Sequence, residues 1–409
     1  MSERAATFGE VFAVREFRVL FGSFALLISG DSVKMLALSV LVYAETGSPG
    51  LSAAAYMVGW LPYLAGGMFL LSLADRLPPR GLMIAGELVR AGTCLVLAYT
   101  GLPVPAMLAL VLVTGLFSPV FGAARNALLP DVLPGDAFVL GRSLMGVTSA
   151  AAQVAGLAVG GAFLAAVGPR GALAVTAGLS LVAALVLRCG LPRRAARSAG
   201  AGRRGAVGET VRVNGRLLAD RRVRGLLLAS WLPTMCVAGA EAMVVPYLGG
   251  QGQAGLVLAM AAVGMAAGEF AVGRFAAPAL RERLSLPLAV LLGLPWLAFA
   301  AGPGLAWAAV LAGTAAAGLA YQLGLQRRFV DAVPEEVRGQ AFGLLSAGLM
   351  SGQAAGAALV GVLGEVAGPG TAIALAGGVG VVVTLALAGV LRPQRPAPVR
   401  AEALPSHGG

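Results

Sequence analysis

The chain has 409 residues, 58% of them hydrophobic and only 12% charged, with a formal net charge of +11. A soluble domain carries roughly 25% charged residues, so over this length too little polar surface is left to face water. The pI near 10.7 does not indicate a nucleic-acid binder, because the arginines sit in short loops between apolar runs. The 59 glycines suit close helix approach inside a bilayer rather than disorder.

A helix needs roughly 20 apolar residues to cross the hydrocarbon. The apolar runs predict twelve spans, at 17–44, 52–74, 81–100, 104–125, 139–167, 171–191, 223–248, 253–277, 285–301, 304–327, 338–366 and 370–391. All are expected to be helical, since unpaired backbone groups cannot face lipid. The chain divides into a six-helix bundle over 1–191, an Arg-rich cytoplasmic linker over 192–222, a second six-helix bundle over 223–392 and a disordered cytoplasmic tail over 393–409. The linker opens as a flexible Gly/Ala/Arg stretch. It then spaces Val211, Leu217 and Leu218 against arginines, as a short surface helix does. No cleavable signal peptide is expected, because the first apolar run is too long for one.

One alternate set of loops holds Arg76 and Arg80, then Arg193 to Arg224, then Arg281 and Arg283, then Arg327, Arg328 and Arg338. The other set holds only Arg170. The positive-inside rule puts both termini in the cytoplasm, in a bacterial cytoplasmic (inner) membrane. The halves repeat at an offset of 200 residues. Asp131 and Pro134 recur as Asp331 and Pro334, Gln153 and Gly156 as Gln353 and Gly356, and Gly168 and Pro169 as Gly368 and Pro369. Two parallel halves related by an axis along the membrane normal are expected.

The loop after the second span reads LSLADRLPPR, Leu71 to Arg80. It resembles the cytoplasmic loop signature of the major facilitator superfamily in its Asp75-Arg76 core and Arg80. Leu71 stands where that signature usually has glycine. In the fifth span, AGLAVGG is similar to the glycine-rich signature of the antiporter branch, carried here by Gly156, Gly160 and Gly161, with Leu157 in the proline position. Plain small-residue packing explains that stretch equally well. The stretches ISGDSVKMLALSVLVYAETGSP, FGAARNALLPDVLP and VPEEVRGQAFGLLSAGL look most like the macrolide-efflux and enterobactin-exporter branch. The resemblance implies an all-α major facilitator fold and a secondary transporter. It implies proton-coupled export of a small hydrophobic or amphipathic compound such as an antibiotic, siderophore or other natural product. An importer or uniporter of a metabolite, or a sensor or scaffold with the same fold, are the alternatives.

A charge at the bilayer centre costs about 2.5–3.5 kcal/mol on insertion scales. Asp31, near the middle of the first span, lies one turn from Lys34, the chain's single lysine. The two are either a self-neutralising structural pair, or Asp31 faces a central cavity and takes a proton or a cationic group. Glu241, in the symmetry-related seventh span, shares a helix face with Trp231, Thr234 and Ala238. It reads as a second cavity acid or as a wetted vestibule acid. Tyr321 and Gln322 either offer hydrogen bonds to a substrate or join helices. Phe117 and Phe121 read as core or lipid packing groups, with a substrate-facing role as the alternative. Glu87 with Arg90, and Glu269 with Arg274, read as structural pairs near the cytoplasmic ends. Asp75, Arg76, Arg80, Arg125 and Asp131 are expected to form a cytoplasmic charge cluster that holds an outward-facing state.

The lone histidine, His407, is in the tail, and Cys94, Cys189 and Cys236 share no metal spacing. No metal, cofactor or disulfide is expected. No P-loop and no nucleophile–base set is visible, so the chain does not read as an enzyme and a proton gradient is the expected energy source. The expected partners are a small-molecule substrate and the lipid bilayer, with no nucleic acid, for a protein acting as a monomer.

Overall fold

The computed structural model describes residues 6–46, 66–67, 69–197, 206–248 and 251–392, and among these it forms helices joined by short turns, with no strand. The first half holds α1 (Phe8–Ala13), α2 (Arg15–Thr46), α3 (Leu73–Arg76), α4 (Pro79–Tyr99), α5 (Val104–Gly115), α6 (Ser118–Val132) and α7 (Asp136–Gly190). Then follow α8 (Ala206–Ala219), α9 (Arg221–Ala242), α10 (Val244–Leu248), α11 (Gln251–Phe275) and α12 (Pro278–Gly293). The chain ends with α13 (Leu305–Ala317), α14 (Leu323–Ala332), α15 (Arg338–Ala367), α16 (Pro369–Ala386) and α17 (Ala388–Leu391). Short 3-10 segments, Leu294–Ala301 and Gly318–Gln322, continue α12 and join α13 to α14. Proline opens α4, α12 and α16, where a missing N–H costs nothing.

Ten helical stretches among the described residues are long and apolar enough to cross a bilayer. The expected span 52–74 lies mostly outside the described residues, which include only 66, 67 and 69–74 of it. The expected span 139–167 is the first part of α7. Three helical stretches overrun their expected bounds by a turn or more, one ending at Val132 rather than 125, one starting at Pro278 rather than 285 and one ending at Ala332 rather than 327. The extra turns carry charged residues, which an apolar run cannot register.

The internal repeat reaches the backbone. Gly168 breaks α7 at φ 70° and ψ 165°, and Gly368 separates α15 from α16 at φ 81° and ψ 152°. Nothing lies within 4 Å of a Cβ built at either one. The positive φ, not crowding, therefore requires glycine there, and Pro169 and Pro369 restart the next helix in each half. Close packing uses other glycines. On α11, a Cβ at Gly264 or Gly268 would lie 1.9 Å from Gly313 O or 2.3 Å from Ala317 O of α13, so the two backbones touch as small-xxx-small helices do.

The halves meet along two seams, α7 with α11 and α6 with α15. At the first seam's arginine-rich end the apolar core is shared, with Phe17, Leu129 and Phe138 clustered with Leu292, Phe329 and Phe342. At the opposite end, Leu38, Val42, Cys94, Leu97, Met107 and Leu173 make a separate cluster drawn from the first half alone. The helices are therefore joined across the molecule at the arginine-rich end.

The helix α8 crosses this joint. Its buried face is Thr210, Val213, Asn214 and Leu217, at i, i+3, i+4 and i+7. This corrects the expected stripe: Val211 is 52% exposed and Leu218 also faces outward. The buried face carries polar groups because it binds first-half backbone on one side and the Gln340 side chain of α15 on the other. Ser72 N donates to Thr210 Oγ1 (3.0 Å) and Asn214 Nδ2 to Gly67 O (3.3 Å). Gln340 Nε2 of α15 donates to Thr210 O (2.7 Å) and Asn214 Oδ1 (2.8 Å).

Candidate functional site

The arginine-rich end is held by three carboxylates of the first half. Asp75, at the end of α3 and 4% exposed, faces the N-terminus of α15. Its oxygens accept from Gly339 N (2.8 Å) and Gln340 N (2.7 Å), where the helix dipole favours negative charge. A Cβ at Gly339 would lie 2.5 Å from Asp75 Oδ1, so glycine makes room for the carboxylate. Asp131 accepts from Arg338 (3.0 Å) and also pairs with Arg197 of the linker. Asp136, at the start of α7, pairs with Arg281 of α12, and its Oδ2 also accepts from Ala6 N (2.8 Å). Arg281, 2% exposed, donates further to Gly273 O (2.7 Å). Leu71 is fully buried where the loop signature usually has glycine, and the small residue is on the partner helix instead: a Cβ at Gly343 would meet Leu71 Cδ2 at 2.3 Å.

This divides the expected charge cluster. Asp75 and Asp131 each bridge to α15, and Arg80 donates to Arg188 O within the first half. Arg76 is half-buried beside Asp75. Arg125 stands apart from them, deeper in the bundle. The Asp136–Arg281 bridge was missed in the sequence. The 200-residue offset could have flagged it, since it places Glu336 opposite Asp136.

Burial pushes the Asp75 carboxyl up to about 6, against the lowering effect of its two backbone N–H bonds. Separating the halves would rewet Asp75 and return it toward the usual carboxylate range near 3.8. Closing therefore takes up a proton. The closed end should be favoured at pH 5 over pH 7, and the advantage is lost as pH rises through about 6. Spin labels on the exposed residues Leu77 and Glu336, with the three cysteines replaced, report this as a shorter mean distance at pH 5. Asp75→Asn should erase the pH step. Having one acceptor oxygen, it leaves one N–H unpaired and weakens closure by about 1–3 kcal/mol.

Deeper in the first half, five ionisable groups form a chain. Lys34 Nζ lies 2.8 Å from Asp31, and Arg90 Nε lies 3.5 Å from the same carboxylate oxygen. Arg90 also reaches Glu87 (3.5 Å), which in turn faces Arg125 (3.4 Å). Arg125 completes the line over the Phe24 ring at 5.8 Å. Asp31 is thus tied across α2, α4 and α6, not to Lys34 alone. Glu87 and Arg90, expected as a pair at a helix end, are the middle of this chain. Phe121 packs against Gly86, and Phe117 is exposed.

In the second half, Tyr321 does not open on a cavity. It is fully buried and its hydroxyl donates to Ala229 O (2.9 Å) on α9. Gln322 Nε2 donates to Thr234 Oγ1 (3.2 Å), and Trp231 Nε1 to Leu345 O (2.9 Å). The face of α9 that leads to Glu241 is therefore occupied by helix ties. Glu241 itself is half-buried with no hydrogen-bond or ion-pair partner among the described residues. Glu269 does not pair with Arg274, whose guanidinium lies over the Phe8 and Phe275 rings. It turns instead toward α7. A Cβ at Gly146 would fall 1.4 Å from Glu269 Oε2, so that glycine opens the space the carboxylate fills. Arg142, Gly146, Ser149, Glu269, Gln322 and Gln326 line a cavity of about 90 Å³ between the halves. Gly156, Gly160 and Gly161 are helical, and their packing lies outside the described residues.

Two pseudo-symmetric helical bundles, joined at one end by breakable polar contacts and carrying charges in their interior, define a membrane transport protein. The profile of the Major Facilitator Superfamily matches residues 20–326 and 245–406, and the chain belongs to that superfamily. Membership makes it a multi-pass membrane transporter and not an enzyme. No significant match is found among curated protein sequences. Solved structures share the fold. The human organic anion transporter MFSD10 (TETRAN) is 18% identical, with TM-score 0.75 over 91% of this chain and 99% of that one. An outward-facing bacterial homologue of the iron transporter ferroportin is 15% identical, with TM-score 0.70 over 92% and 98%. The proton:xylose symporter XylE is 15% identical, with TM-score 0.68 over 93% and 96%.

Proposed function

We propose that this transporter is a proton-driven exporter of a small hydrophobic or amphipathic compound, an antibiotic, siderophore or other natural product, working in the bacterial cytoplasmic membrane. The observation that carries this reading is the set of costly charges retained inside the spans, with Asp31 held between Lys34 and Arg90. The sequence resemblance to the macrolide-efflux and enterobactin-exporter branch supports the direction. Asp31 is the leading candidate for the coupling carboxylate and Glu241 the second. Asp75, Asp131 and the Asp136–Arg281 pair hold the outward-facing state closed at its cytoplasmic end, and no cofactor takes part. The chain acts as a monomer, with 1–191 and 223–392 as the moving bundles and 192–222 as their linker.

The arginine asymmetry fixes the orientation in this account. Reporter fusions at Ser198 and His407 should score as cytoplasmic and one at Gly302 as external; a periplasmic signal at Ser198 contradicts it. The function itself is tested in inside-out vesicles supplied with a pH gradient and a panel of hydrophobic antibiotics and dyes. At least one should accumulate, and an uncoupler should abolish the accumulation. Accumulation that ignores the uncoupler excludes proton antiport.

A further inference from the structure

Among the described residues, the charges inside the spanning helices are unevenly shared. Away from the ends of the continuous spanning stretches, where α9 and α10 count as one (Arg221–Leu248), the first half contributes the cations Lys34, Arg90, Arg125 and Arg142 and the carboxylates Asp31 and Glu87. At the same depth the second half contributes the carboxylates Glu241 and Glu269. The first half is thus net positive and the second net negative, and the two signs face each other in the cavity that Arg142 and Glu269 line together.

The polar groups of that cavity are left over from the fold. Arg142 donates to Asn126 Oδ1 (3.2 Å) through one nitrogen and makes no other hydrogen bond or ion pair among the described residues, its remaining electrostatic partner being Glu269 across the cavity. Glu269 Oε2 and Gln326 Oε1 are buried acceptors without a partner there, although Gln326 is only 6% exposed. Arg142 and Glu269 also do not close on each other, since no ion pair within 4.0 Å joins them. Buried charges left apart are costly, and so are unpaired buried acceptors. A neutral hydroxyl-rich ligand would satisfy the hydrogen bonds and leave both charges without a contacting counter-charge, acting on each other only across the cavity. A simple cation or anion would compensate one and meet the like charge of the other. A ligand carrying both signs on one small unit satisfies the whole set. The cavity, about 90 Å³, is small, which suits a compact unit.

We infer that this cavity is a binding site for a compact zwitterion, with the ligand's acidic pole against Arg142 and its ammonium pole between Glu269 Oε2 and Gln326 Oε1. The unit is a free amino acid or the zwitterionic end of a larger amphipathic substrate. The inference rests on the transport reading, in that it supplies the polar subsite of the exported compound. Gly146 is part of the site, because any side chain there would displace the Glu269 carboxylate.

The test is equilibrium binding to the purified full-length protein in detergent, read by thermal shift and calorimetry. The probes are glycine (both charges), glycinamide (cation only) and acetate (anion only), at matched ionic strength. Glycine should bind at least about tenfold more tightly than either single-charge probe, a difference of about 1.4 kcal/mol. Arg142→Gln should lose glycine and come to prefer glycinamide, while Glu269→Gln should come to prefer acetate. Arg142→Lys should keep glycine, which separates loss of charge from loss of fold, as do unchanged ligand-free melting temperatures. No saturable glycine binding by the unmodified protein, or equal binding of all three probes, overturns the site. So does a loss of every probe together in both folded Gln variants. Because the assay applies no gradient, glycine binding with failed vesicle accumulation would refute the exporter and keep the site, and the reverse would refute only the site. A hydrophilic amino acid such as L-serine distinguishes the two sources: free amino-acid transport predicts that it competes with glycine, whereas a substrate head group predicts that only amphipathic zwitterions displace it.

Discussion

Arg281→Ala should produce the largest conformational change of any single substitution at the arginine-rich end. Arg281 is buried on α12 and is the counter-ion of Asp136 on α7, itself only 9% exposed. Removing the guanidinium leaves a buried carboxylate whose other partner is a single backbone N–H, from Ala6. Breaking a buried pair from one side costs about 3–5 kcal/mol. That is roughly a hundred- to several-thousand-fold in the equilibrium between closed and open ends. Transport should fall by at least about tenfold while the protein remains in the membrane. The double variant Asp136→Ala/Arg281→Ala should recover much of the loss, because it removes the stranded charge as well. Equal defects in the single and double variants would assign the effect to packing at α12.

Asp31→Asn should abolish gradient-driven transport in proteoliposomes. Among the described residues the carboxylate is the only one paired with Lys34, and it shares Arg90 with Glu87. An amide leaves three cations, Lys34, Arg90 and Arg125, against Glu87 alone. It also removes the proton acceptor that the proposed coupling uses. Binding of a neutral substrate should survive, and Asp31→Glu should restore part of the activity. Glu241→Gln should weaken affinity mainly for cationic compounds. Full gradient-driven activity in Asp31→Asn would transfer the coupling role to Glu241 or Glu269.

The sequence exposes what depends on one helix at a time. Apolar run length locates the spans, and the 200-residue offset finds the Gly168 and Gly368 breaks because one backbone geometry demands one residue type twice. The Asp31–Lys34 pair is legible for the same reason, being a separation of one turn on one helix. Pairs between helices are not, because a nearly uniform apolar helix does not reveal its rotation. Sequence proximity pairs Glu269 with Arg274, but its carboxylate faces α7. Arg125, expected in the cytoplasmic cluster with Asp75, meets Glu87 instead. The α8 register failed because its buried face uses Thr210 and Asn214 to bind backbone, so reading only its apolar residues selects the wrong stripe.

The central claim is that the two halves rock as bodies, closing one end as the other opens. Two spin-label pairs read both ends at once. Leu77 with Glu336 spans the arginine-rich end, and Tyr99 with Trp307, both strongly exposed, spans the halves at the opposite end. In the unmodified protein the first distance should be short and the second long. Arg281→Ala should lengthen the first and shorten the second in the same sample. A change in the first distance with no opposite change in the second would mean that the end merely frays, and would contradict alternating access between these halves.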